Sequence, residues 1–70
     1  MFTEAIKVLE NAIEKFQDRG RCYANLASSS EDQNEIMKFS ENAYKYFQKV
    51  DTLRYAIRLL NDLEESNNGQ

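Results

Sequence analysis

Apolar residues recur every three or four positions along nearly the whole chain, the period of a helix rather than of a strand. Phe2, Ile6, Leu9, Ile13 and Phe16 form a first stripe, and Tyr23 and Ala27 keep its phase. The pattern predicts one helix from Thr3 to Ala27, with Thr3 as its N-cap and Glu4 in its first turn, where negative charge suits the helix dipole. Ala5 and Ala12 flank the stripe and would admit a close neighbour. Gly20 falls inside this span. It could instead end a helix after Asp18 and Arg19 in the left-handed cap position. Arg21 offers no new N-cap, however, and the stripe does not shift, so continuity is the preferred reading. Gly20 then costs ~1 kcal/mol relative to alanine.

Ser28, Ser29 and Ser30 make the clearest break, because serine competes for backbone hydrogen bonds and favours caps and turns. Ser30 followed by Gln33 fits a capping box, and Glu31, Asp32 and Glu35 load a second helix start with negative charge. The second series is Ile36, Phe39, Ala43, Tyr46, Val50, Leu53, Ile57 and Leu60. Met37, Tyr44, Phe47, Leu59 and Leu63 widen its face. Two models follow. In one, a single helix runs from Glu31 to Glu65; in the other it breaks near Asp51, which would cap a third. The unbroken phase and the lack of glycine or proline favour continuity.

The expected fold is all-α: an antiparallel helical hairpin of two long helices, or three if the chain breaks near Asp51, completing a bundle by oligomerisation. Residues 1–65 form a single helical domain, and 66–70 a disordered polar tail. A continuous second helix would overhang the first by roughly ten residues, about 15 Å at 1.5 Å per residue. The overhang would expose Leu53, Ile57, Leu60 and Leu63.

Length adds a reason to expect assembly. At 70 residues the chain buries only ~60% of the surface of its unfolded form, a marginal core. With one cysteine, Cys22, no internal disulfide can form, and with no histidine a Cys/His metal site is excluded. A net charge of −3 is too mild to imply a nucleic-acid or membrane partner by itself. No basic apolar leader and no run approaching a membrane span are visible, so a cytoplasmic protein without a membrane partner is expected.

Enzyme chemistry lacks its usual parts. Without histidine there is no Ser-His or Cys-His pair, and there is no Gly-rich phosphate loop. Neither a cofactor nor a catalytic residue is expected. Glu31, Asp32 and Glu35 read as helix-start charges rather than a cation site. Cys22 reads as a half-buried structural residue.

The segment Glu4-Ala5-Ile6-Lys7-Val8-Leu9-Glu10-Asn11-Ala12-Ile13-Glu14-Lys15-Phe16 resembles the second helix of a tetratricopeptide-type repeat, and Tyr55-Ala56-Ile57-Arg58-Leu59-Leu60 echoes it. The resemblance covers less than half the chain. A full repeat has ~34 residues, and its proline punctuation is missing here. It implies a protein-binding helical scaffold.

The function expected from the sequence is therefore a small non-catalytic protein–protein interaction module: an adaptor, an assembly subunit or an inhibitor of a larger protein, acting as a homodimer. Its expected interface residues are Tyr44, Phe47, Leu53, Ile57, Leu60 and Leu63. The alternative is a nucleic-acid-binding bundle that contacts phosphates through Lys38, Lys45, Lys49, Arg54 and Arg58.

Overall fold

The computed structural model describes residues 2–68. Helix α1 spans Thr3–Ser29 and helix α2 spans Gln33–Asn68. The two pack antiparallel along their whole length as a single layer, with Cα extents of 58 × 15 × 11 Å. The described residues contain no strand.

α1 runs through Gly20 without a break, as the unshifted stripe predicts. Gly20 is buried, the one such residue on α1. A methyl group built there would lie 2.6 Å from Cε1 of Phe47, so the aromatic ring of α2 occupies the space a side chain would need. Thr3 is not the cap; it is the first helical residue, and the cap position falls on Phe2, whose side chain makes no capping hydrogen bond.

α2 is also continuous, and the three-helix alternative does not occur. Asp51 is exposed inside the helix rather than capping a new one. Thr52 keeps its hydroxyl within the helix by donating to the Gln48 carbonyl at 3.1 Å. Helix α2 also continues through Ser66, Asn67 and Asn68, where composition predicts a disordered tail. The remainder of that tail, Gly69 and Gln70, lies outside the described residues.

The turn differs from the predicted capping box. Asp32 caps α2: its Oδ1 accepts the Asn34 N–H at 2.9 Å, while its carbonyl accepts the Ile36 N–H. Ser30 instead donates its hydroxyl to Glu35 Oε2 at 2.9 Å and accepts the Asp32 N–H at 3.3 Å. Serine and aspartate both serve as caps, and the aspartate lies nearer the first residue with helical geometry.

The ten-residue overhang is absent, although α2 has 36 residues and α1 has 27. Glu64 stands level with Phe2. The Phe2 backbone lies within hydrogen-bonding reach of its carboxyl. Only about the last turn of α2 extends beyond α1. The rest of the extra length is taken up at the turn, where α2 starts beyond the end of α1. Leu53, Ile57 and Leu60 are therefore half-buried against α1, and Leu63 alone of that group is exposed.

Candidate interaction faces

A two-helix layer has one seam and two open sides. The seam centres on Gly20 of α1 and on Ala43 and Val50 of α2, which are 6% and 3% exposed. These are small residues, and small residues let two backbones come close. Among the described residues no large side chain is fully buried. The stripe residues Ile6, Leu9, Ile13, Phe16, Tyr23, Ile36, Phe39 and Tyr46 are only half-buried, because each lies at the seam with one edge toward solvent.

At about 100° per residue, flanking positions sort onto the two sides of the layer. One side is aromatic near the turn. Tyr46 stacks on Tyr23 at 5.8 Å and tilts against Phe16 at 5.9 Å, while Phe39 meets Tyr23 at 6.3 Å. Lys49 Nζ stands 5.3 Å from the ring centres of both Phe16 and Tyr46. An ammonium over two ring faces is attracted by their quadrupoles. Lys45, Lys49, Thr52 and Leu53 line a shallow hollow beside Phe16. The opposite side carries Phe47 over Gly20, and then a hollow in which Arg54 and Ile57 face Glu10, Ile13, Glu14 and Gln17.

The six expected interface residues thus separate. Leu53, Ile57 and Leu60 are half-buried at the seam. Phe47, 38% exposed, fills the space over Gly20. Tyr44 is 63% exposed and points away from the seam, where its hydroxyl oxygen accepts a hydrogen bond from Gln48 Nε2 at 3.0 Å. Leu63 is also exposed. The expected basic row separates as well. Lys45 and Lys49 border the aromatic side, with Lys38 in line with them, while Arg54 lies across the layer beside Glu10 and Glu14, with Arg58 on its flank.

Tyr44 and Tyr55 are legible from sequence as exposed aromatics; the stripe they share with Met37 and Leu59 is not. Met37, Tyr44, Tyr55 and Leu59 fall at helical spacing on the outer edge of α2, opposite the seam, and all four are exposed. Their signal is present as apolar residues out of phase with the main stripe. Val8 and Leu26 are exposed on α1 in the same way. Cys22 is exposed rather than half-buried. It comes two residues after the inward-facing Gly20, about 200° further round the helix.

Among the described residues no cluster of His, Cys, Asp or Glu has the arrangement of a metal site. No described helix is long and apolar enough to cross a membrane. The chain matches no family model, no curated protein and no solved structure.

Proposed function

We propose that this chain is a small non-catalytic helical protein–protein interaction module that self-associates as a homodimer. An adaptor, an assembly subunit or an inhibitor of a larger protein all fit this description. The observation that carries the reading is uncovered surface. The chain exposes 5646 Å². A compact monomer of 8.2 kDa exposes about 4,500 Å² on the usual scaling with mass. The radius of gyration agrees: 16.4 Å, against about 11 Å for a compact chain of this length. The surplus, about 1,100 Å², exceeds the ~800 Å² that each partner contributes to an ordinary stable interface.

The tetratricopeptide-like pattern of Glu4 to Phe16 agrees with a scaffold role, as does the outer stripe of Met37, Tyr44, Tyr55 and Leu59, whose tyrosines are of the type enriched in binding hot spots. Light scattering across a concentration series tests self-association. A dimer mass at high concentration is expected, and a strictly monomeric mass would remove the homodimer from the reading. A chemical cross-linking screen comparing the native chain with Tyr44→Ser and Tyr55→Ser tests the outer stripe. Loss of a cross-linked partner with the dimer intact supports it.

A second reading rests on Lys49. The cation held over Phe16 and Tyr46, with Lys38 and Lys45 in line, resembles the mix of rings and charge that binds single-stranded nucleic acid. This version keeps three residues of the basic row and drops Arg54 and Arg58. Titration with single-stranded RNA and DNA at low salt tests it, and no binding there ends it.

A further inference from the structure

We infer that the second copy docks on one half of one side of the layer, the aliphatic half remote from the turn, so that two hairpins meet tail to tail. The inference rests on the self-association reading and adds the face and the register.

The side that carries the aromatic rings changes character along its length. Near the turn it holds Tyr23, Phe39 and Tyr46, bordered by Arg19, Lys38, Lys45 and Lys49. Glu35 and Glu41, with Asp51 lining the same hollow as Lys45 and Lys49, offset only part of that charge. Toward the chain ends, the same side carries Val8 and Ala12 from α1 and Leu53, Ala56, Leu60 and Leu63 from α2. These positions share that side because they fall on the matching flanks of Gly20 and Val50, and matching flanks of antiparallel helices open the same way. Their levels match too: Ile13 and Gln17 sit beside Arg54 and Ile57, and Phe2 beside Glu64. Val8 is 65% exposed and Leu63 54%, while the other four are half-buried. No charged side chain lies within the patch; Glu4, Lys15 and Glu64 stand at its margin.

Two arguments select a second copy as the occupant. The surplus surface matches what one stable interface needs, and an uncharged apolar patch is complementary to itself. The register follows from charge. Hairpins meeting through their turn halves would set Arg19, Lys45 and Lys49 of one copy against the same residues of the other, and like charges brought together and desolvated oppose association. A two-fold axis near Leu9 keeps the basic ends apart and pairs the aliphatic halves. Ala12 and Ala56 then admit close helix approach, giving an antiparallel four-helix bundle over the shared half.

Cys22, the single cysteine and exposed, reports the register when spin-labelled. It lies 13 positions from Leu9, so a tail-to-tail dimer separates the two labels by about 40 Å along the axis at 1.5 Å per residue. Pulsed EPR is expected to read that distance. Dimers joined through their turn halves, or overlapped along the full layer, bring the labels below about 25 Å on the same scale, and such a distance in a stable dimer overturns this inference while leaving the self-association reading intact. Monomers throughout overturn both. Substitutions add an independent arm. Val8→Glu alters a side chain already exposed in the hairpin, so helicity by circular dichroism is retained while dimerisation weakens about 100-fold or more, since it buries an unpaired carboxylate. Met37→Glu on the outer edge leaves it unchanged. A dimer that tolerates Val8→Glu equally well also overturns the proposed face.

Discussion

The edge of the Phe47 ring lies where the side chain of residue 20 would begin, 2.6 Å from a methyl built on Gly20. The glycine and the phenylalanine are 27 positions apart in sequence, yet each accounts for the other. Gly20 gives up about 1 kcal/mol of helix propensity relative to alanine. In return the ring packs against α1 at Gly20, between the levels of Ala43 and Val50. Gly20→Ala is expected to gain nothing in the native chain, because the ring must swing outward. In a Phe47→Ala background the same substitution should stabilise by about 1 kcal/mol. Urea unfolding of the four chains at one fixed concentration measures the coupling. Equal effects of Gly20→Ala in both backgrounds would show that the ring is not what the glycine accommodates.

At the turn, the Asp32 carboxylate accepts the Asn34 N–H of α2, whereas Ser30 donates to the Glu35 carboxylate and accepts the Asp32 N–H, outside the helix. Asp32→Ala should cost about 1 kcal/mol, the usual loss of an N-cap, and Ser30→Ala clearly less. Chemical denaturation gives both values. A larger loss for Ser30→Ala would restore the capping box that the sequence suggests.

Asp51 separates two functions by sign. As an N-cap its replacement by alanine would destabilise by about 1 kcal/mol. Inside a continuous α2 it makes no cap, and aspartate is a poorer helix former than alanine, so Asp51→Ala should raise stability by about 0.5 kcal/mol. A drop in the unfolding midpoint would argue for a break that the continuous α2 does not contain.

Lys49 over Phe16 and Tyr46 ties the two helices by a contact other than apolar burial. Lys49→Met keeps a stem of similar length without the charge and should cost about 0.5–1 kcal/mol. The loss should shrink to nothing when both rings are replaced by leucine. A loss that persists there would assign the effect to helix propensity instead.

Much of this fold is legible in the pattern of residues. The unshifted stripe through Phe16 and Tyr23 indicates that α1 survives Gly20, and the run from Ile36 to Leu60 indicates that α2 survives Asp51. Period is a local property, and helices are local structures. What the pattern misses is relational. The reason for Gly20 lies on another helix, so no window around residue 20 contains it. The overhang was misread because two helix lengths do not fix their register; the turn does, and it starts α2 beyond the end of α1. Phe47 looked available for binding because its partner is a glycine, which leaves no apolar mark. The basic row divided because Lys49 and Arg54, five positions apart, fall on opposite flanks of the seam. Tyr44 and Tyr55 stand out in the sequence as exposed aromatics, but their alignment with Met37 and Leu59 on one outer edge does not.

The three-residue turn at Ser30–Asp32 also sets an order of events. Contacts beside it, such as Tyr23 with Phe39, close a short loop, whereas those at the level of Phe2 and Glu64 join nearly the ends of the described chain. Loop-closure entropy grows with separation, so the hairpin zips from its turn and frays from its tail. The aliphatic half assigned to the second copy is thus the half that closes last and opens first. Association there would fasten the loosest part of the zipper, making protection from hydrogen exchange near Leu9 and Leu60 rise with protein concentration while protection near Tyr23 and Phe39 stays level.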